Sequence, residues 1–399
     1  MTSEVRSALI YLDHNATTPV APEVADAMEP YLRAEFGNPS SDHALGRRAR
    51  QAVEEARAHL GALIGSDPEE VVFTSGGTES NNLAIRGVAA KARTGRHRIV
   101  TSSVEHPATT APLALLEASG WGVTRAPVAA SGLLDLGAAQ AAIGEDVALL
   151  TVMAAQNETG ALLPVAELAV AAHANGALVH SDAAQAIGKI PVSVEDLGVD
   201  LLSIAGHKFY GPKGIGALYV RHGTPLSPLV LGAGQEGGLR PGTENVAGIV
   251  GLGEAARLAK EHLTTDARRI AGLRDGLWAA LSARVPGIAC HTPAGACLPN
   301  TLLVSFPGVL GADLLTRIPR LAASTGSACH AGRHTPNATL LAMGIEPQVA
   351  LGAVRLSLGR QTSRADIDAA ADLLVGALKT PVAATPSPTT LPTSKGTPR

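Results

Sequence analysis

Residues Leu202-Ser203-Ile204-Ala205-Gly206-His207-Lys208-Phe209-Tyr210-Gly211-Pro212-Lys213-Gly214 run from an apolar strand into a lysine set between a histidine and a Gly/Pro-rich turn. Upstream, a second apolar run, Ala177-Leu178-Val179-His180, ends in Ser181-Asp182-Ala183-Ala184-Gln185. An acid at one strand end and a lysine at the next can grip both ends of one planar cofactor. Pyridoxal 5'-phosphate (PLP) needs that pair: an amine for a Schiff base with its aldehyde, and a carboxylate to keep its pyridine nitrogen protonated. Lys208 is read as the first and Asp182 as the second. Gln185, one turn along, can donate to the phenolic oxygen.

Working outward, helical and strand signals alternate, which predicts an α/β protein with a mostly parallel sheet. Helices are expected over 22–34 and 43–64, with the loop Gly37-Asn38-Pro39-Ser40-Ser41 between them. Val71-Val72-Phe73-Thr74 reads as a buried strand that breaks at Ser75-Gly76-Gly77-Thr78 before a helix running to about 92. Strand, glycines, then helix presents free N–H groups to a phosphate, although glycines in a tight turn and an ordinary threonine cap give the same pattern. Strands at 98–102 and 147–154 precede helices near 108–118 and 164–175, and 215–220 is a further apolar run. Helices near 244–262 and 265–284 lead out of a large domain over 21–261. A smaller α+β domain takes 10–20 and 262–380. It holds strands at 301–306 and 354–358, helices near 311–317 and 364–378, and a loop with Cys329. The tail, 381–399, is rich in Pro, Thr and Ser and is expected to be disordered.

Several polar residues fall just past strand ends, where open α/β sheets place ligands. His106, in Ser103-Val104-Glu105-His106, could stack on the pyridine ring and carry protons, or be a structural histidine. Asn157 is a plausible ring contact or a turn residue. Cys329, in Gly326-Ser327-Ala328-Cys329-His330-Ala331-Gly332-Arg333-His334, sits in a small, polar segment that predicts an exposed, mobile thiol. Nearby cations lower a thiol's pKa and make it a nucleophile. The Cys/His spacing there matches no zinc pattern, so no metal is expected.

The bulk composition sets limits. With 399 residues, 46% hydrophobic and 17% charged, the chain has room for two cored domains. A net charge of −3 without long basic runs gives no reason to expect nucleic acid or a membrane surface as partner. No uninterrupted apolar stretch has membrane-span length and the N-terminus lacks a signal-peptide pattern, so a cytoplasmic location is the expectation. Three cysteines argue against a disulfide framework.

Over roughly residues 10–378 the sequence resembles the cysteine desulfurases, PLP enzymes of the class V aminotransferase fold (fold type I), and their relatives the selenocysteine lyases. The resemblance rests on Asp13-His14-Asn15-Ala16-Thr17-Thr18, the 37–41 and 74–82 segments, Ser103 to His106, Asn157-Glu158-Thr159-Gly160, Asp182 to Gln185, Gly206-His207-Lys208, Arg240-Pro241-Gly242-Thr243, Gly326 to Cys329 and Arg355 to Arg360. It implies that Lys208 carries the cofactor and that Asp182, Gln185, His106 and Asn157 hold its ring. Gly77, Thr78 and His207 are implied at the phosphate, and Thr243 at the phosphate of the other subunit, hence a homodimer. Arg355 with Asn38 is implied for the substrate carboxylate, and Cys329 as the nucleophile that passes sulfur to an acceptor protein. The family usually has a serine two residues before the histidine. Here that position is Ala205, with Ser203 on the same strand face as the substitute hydroxyl. Ala205, His330 and the Phe209-Tyr210 pair look more like selenocysteine lyases, so L-selenocysteine stands beside L-cysteine as a substrate. A plain aminotransferase and a non-catalytic scaffold for a sulfur-acceptor protein are the remaining readings.

Overall fold

A computed structural model describes residues 9–325, 329–330 and 333–379, with the backbone alone for 329–330 and 333–334. The tail expected over 381–399 lies outside the described residues. In chain order the strands are β1 (Ile10–Tyr11), β2 (Val71–Thr74), β3 (Arg98–Ser102), β4 (Gly122–Ala126), β5 (Val147–Thr151), β6 (Leu178–Asp182), β7 (Leu201–Ala205) and β8 (Gly216–Val220). They continue with β9 (Ala289–Cys290), β10 (Thr301–Ser305), β11 (Leu321–Ala322), β12 (Cys329–His330), β13 (Arg333–His334) and β14 (Ala353–Ser357).

Seven strands form one sheet in the order β2-β8-β7-β6-β5-β3-β4. Pairs from β7 through β4 are parallel, and β8 runs antiparallel to both of its neighbours. The reason is local. β7 and β8 are joined by a short turn that holds Lys208, and a short connection can only reverse the chain. β5 and β7 are buried along their whole length, which is why they read as continuous apolar runs. β4 escaped the sequence reading because it is an edge strand, mostly half-exposed, with a Gly-Val-Thr-Arg-Ala sequence that shows no apolar run.

Because the parallel strands point the same way, their C-terminal ends line one edge of the sheet. That edge gathers Asp182, the last residue of β6, and the segments after β3, β5, β6 and β7, which carry His106, Asn157, Gln185 and Lys208. Helix starts are set there by local chemistry. Pro107 opens the helix Pro107–Ala118 and His106 caps it, its Nδ1 accepting from Ala108 N–H at 3.1 Å.

One expectation is corrected. The chain from 244 to 284 is not two helices but a single one, Val246–Ser282, of 37 residues. Its first part packs Ile249, Leu252, Ala256 and Ala259 into the core of the large sheet. Its second part packs Ile270, Leu277 and Leu281 into another core. Two apolar faces serving two cores look like two helices in sequence. Between them stand threonines, which lower helix propensity but do not break the backbone ladder as proline would.

The second core joins Ile10 and Leu12 to Leu302, Val304, Leu356 and Leu374. β10 is the middle strand of a three-stranded antiparallel sheet with β14 and β9, and β1 pairs in parallel with β11. Asp13 bridges to Ser357 just beyond β1. The N-terminal segment therefore leaves the second core and crosses to the edge of the large sheet, where Thr18 N–H reaches His207 O at 2.9 Å.

Candidate active site

A cavity of about 200 Å³ opens at the strand C-termini, lined by Gly77, Thr78, His106, Asn157, Asp182, Gln185, Ala205, His207 and Lys208 among others. Lys208 enters it from the one-turn helix after β7, and Asp182 from the end of β6. Asp182 is 8% exposed. Its Oδ2 accepts from Asn81 Nδ2 at 2.6 Å and its Oδ1 from Ala184 N at 2.9 Å, so both oxygens are held in place.

Lys208 Nζ donates to the backbone carbonyls of Asn15 and Ala16 at 2.7 and 2.9 Å. Burial, with the positive charge of Arg355, lowers its pKa to about 8, although Asp182 and Asp13 oppose the shift. An amine so poised is partly neutral near physiological pH, as Schiff-base chemistry requires.

Gly77 and Thr78 begin the helix Gly77–Ala89, whose first N–H groups lack intrahelical partners. The preceding Gly76 has φ 147°, a conformation open to glycine. A Cβ on Gly77 would come within 3.3 Å of the Ala205 side chain and narrow the cavity there. An anion-accepting helix end, an amine and a carboxylate around one cavity fit the phosphate, aldehyde and pyridine nitrogen of PLP.

His106 is exposed because it walls the open cavity, yet enough protein surrounds it to lower its pKa. Burial and Lys208 push it down and Asp182 pulls it up. Since Nδ1 accepts the cap hydrogen bond, the neutral ring carries its proton on Nε2. His207 is held through Nδ1 by Thr17 Oγ1 at 3.1 Å, and burial beside Lys208 lowers its pKa to about 4.

Arg355, on β14, is 6% exposed and stands behind this wall. Nη1 donates to Asn157 O at 2.9 Å and Nη2 to Asp13 Oδ1 at 2.8 Å, while buried Nε has no partner among the described residues.

Besides Arg355, three expected site residues do not line the cavity. Ser203 does not replace the missing serine hydroxyl. It is fully buried and bonds His180 Nε2 at 2.9 Å, with His180 Nδ1 in turn 2.8 Å from Thr151 Oγ1. The strand face is the expected one, but Ser203 lies one pleat deeper than Ala205, which alone of the two reaches the cavity. Asn38 is exposed, and its Oδ1 accepts from Ser40 N at 2.9 Å. Thr243 is exposed and absent from the cavity wall of its own subunit. Cys329 begins a two-residue strand paired with β13, and its side chain lies outside what is described.

Two residues without an assigned role turn out to be central. Asn15, 1% exposed, accepts from Lys208 and from Gln185 Nε2 at 2.9 Å through its carbonyl. Its side chain donates to Asn157 O and Thr301 Oγ1 and accepts from Lys189 and Asn300. Glu105, next to His106, accepts from Ser102 Oγ at 2.5 Å and Met153 N at 3.0 Å, tying the ends of β3 and β5 together. Enclosure raises its pKa to about 8 against the pull of those hydrogen bonds. Neither role is visible in sequence, since each depends on at least one partner dozens to hundreds of residues away.

The class-V aminotransferase family matches the chain from residue 10 to residue 370. A cysteine desulfurase, IscS, of Dictyoglomus turgidum is 43% identical over 367 residues, 92% of this chain and 93% of its own length. A cysteine desulfurase of Mus musculus is 40% identical over 382 residues, 94% of this chain and 83% of its own. Among solved structures, a NifS-like protein superposes with a TM-score of 0.87 at 37% identity, covering 93% of this chain and 99% of that one. The chain thus belongs to the class-V aminotransferases. Within that family the relatives it matches are cysteine desulfurases.

Proposed function

We propose that the chain removes sulfur from L-cysteine, yielding L-alanine and a persulfide on Cys329, with PLP held in the cavity between Lys208 and Asp182. The single observation that carries this reading is that one cavity is lined by both residues and by the N-terminus of Gly77–Ala89. When bound, PLP supplies an electron sink that acidifies the substrate Cα–H.

The remaining work falls to side chains. Lys208, with its partly neutral amine, would hold the cofactor's aldehyde end, and its Nζ is the base placed to take the substrate Cα proton. Asp182 keeps a proton on the ring nitrogen. His106, with Nε2–H available, and Asn157 and Gln185 would hold the ring from the cavity wall they form. Gly77, Thr78 and His207 receive the phosphate. Arg355, which touches the cavity-lining Asn157 through its carbonyl, takes the substrate carboxylate, a task that suits a guanidinium. The Cys329 thiolate attacks the substrate sulfur. The S–S bond forms as the substrate C–S bond breaks, and the carbon fragment regains protons to leave as alanine.

A homodimer is part of this reading. Thr243 is exposed and does not line its own subunit's cavity, and Val230 and Leu231, the latter 87% exposed, offer apolar surface. Thr243 is available to the phosphate of a second subunit. A sulfur-acceptor protein follows from the persulfide, which must leave Cys329. A cytoplasmic site of action accords with reduced thiols; among the described residues no helix is long and apolar enough to cross a membrane.

The test is to supply purified protein and PLP with L-cysteine or L-selenocysteine and quantify alanine, sulfide and selenide, with mass spectrometry of Cys329. Alanine from cysteine with a mass gain of one sulfur on Cys329 is expected. Full-rate alanine release by Cys329→Ala from cysteine would refute the nucleophile, and alanine from selenocysteine alone would make it a selenocysteine lyase.

A further inference from the structure

Four residues beyond Gln185 stands a second lysine that the reaction above leaves without a task. Lys189 Nζ lies 2.5 Å from Gln185 Oε1 and 3.0 Å from Asn15 Oδ1. Both acceptors are amide oxygens rather than carboxylates, in a place where burial, Lys208 and Arg355 hold the Lys189 pKa well below its ordinary value. A lysine in such surroundings is costly to keep, so what it touches is informative.

The orientation of each amide follows from groups that can only accept. Asn15 Nδ2 faces the backbone carbonyl of Asn157 at 3.1 Å, so that end of Asn15 is its NH2 and the other end is its oxygen. Gln185 Nε2 faces the backbone carbonyl of Asn15 at 2.9 Å, so that end is also NH2. Lys189 must therefore donate to both oxygens, whatever its charge. Gln185 Nε2 keeps one further hydrogen, and Gln185 is part of the cavity wall.

We propose that Lys189 is a positioning residue which, with Asn15, locks the Gln185 carboxamide so that its N–H, and not its carbonyl oxygen, meets the phenolate oxygen of the bound cofactor. This rests on reading the cavity as the PLP site. A free carboxamide can present either end by a half-turn. Lys189 removes that freedom, because the turned amide would set two N–H groups against the amine and an oxygen against the Asn15 carbonyl. The donor so fixed favours the phenolate over the phenol and thereby sets which absorbing form of the cofactor predominates.

The experiment compares wild type, Lys189→Met, Gln185→Ala and the double variant, each saturated with PLP at one fixed pH. Read-outs are the ratio of the two near-ultraviolet and visible cofactor bands and the PLP dissociation constant. Lys189→Met is expected to shift the band ratio toward the phenol form and weaken PLP about tenfold, the scale of one lost hydrogen bond to a charged group. In the Gln185→Ala background it should add nothing, because the two residues act through one contact. Lys189→Gln, polar but one atom shorter, gives the same loss of contact if the methionine variant folds poorly.

A folded Lys189→Met or Lys189→Gln protein with unchanged band ratio and PLP affinity overturns the proposal, as do additive effects of the two substitutions. A wild-type chain that takes up no PLP sinks the cofactor reading instead, and this proposal with it.

Discussion

Asp13 and Arg355 form an ion pair at 2.8 Å across the junction between the N-terminal segment and β14, at a guanidinium whose Nε has no partner among the described residues. The pair leaves Arg355 anchored at both terminal nitrogens, to Asp13 and to the Asn157 carbonyl. A guanidinium held at both terminal nitrogens has its orientation set before any ligand arrives, so ordering it adds little to the cost of binding.

Arg355→Lys should therefore hurt substrate capture more than turnover. An ammonium cannot serve Asp13, the Asn157 carbonyl and a substrate carboxylate together. Loss of one charge-assisted contact worth about 2–3 kcal/mol corresponds to roughly 30- to 150-fold in kcat/KM. Steady-state kinetics with L-cysteine should place most of that in KM. An unchanged KM would remove Arg355 from substrate binding.

Lys208 should set the pH dependence of cofactor capture. Only the neutral amine attacks an aldehyde, and the amine is half neutral near its pKa of about 8. Stopped-flow mixing of cofactor-free protein with PLP should show a rate that rises through a midpoint near that value. Lys208→Ala should show no covalent capture at any pH. A midpoint near the ordinary lysine value would mean the amine is not enclosed as described.

Glu105 should make stability fall as pH rises. Its pKa is raised from 4.5 to about 8, so the folded state binds the proton more tightly than the unfolded state. The resulting stabilisation is full below about pH 4.5 and is lost as the pH climbs through about 8. Glu105→Gln keeps the shape without the charge. Its melting temperature relative to wild type should therefore improve between pH 5 and pH 8. A constant difference across that range would show that Glu105 does not titrate there.

Ser203 and Ala205 should separate cleanly by experiment. Ser203→Ala strands His180 Nε2 in a buried site and should cost about 1–3 kcal/mol of stability, read by urea unfolding. It should leave PLP affinity unaltered. Ala205→Ser places a hydroxyl at the cavity edge and should tighten PLP severalfold. The opposite pattern would return Ser203 to the phosphate site.

Much of this site was legible in the chain. Lys208, Asp182, His106 and Asn157 each stand just past an apolar strand, and parallel strands bring such positions to one edge whatever their separation in sequence. The single helix across 246–282 was not legible, because two apolar stripes facing two cores cannot be told from two helices by periodicity. Nor was the failure of Ser203, since alternation along a strand gives the face of a side chain but not its depth below the cavity.

What the sequence alone determined was therefore the alternating α/β plan, the strand-end chemistry and the family, all of which are written in local pattern. Tertiary structure decided the rest. It made Asn15 the meeting point of Lys208, Gln185, Lys189, Asn157 and Thr301, and it set Arg355 against Asp13, 342 residues apart in the chain. Hydrogen bonds of that kind are satisfied only when two cores pack and bury the polar groups between them, and no local rule of spacing records which groups will face each other there.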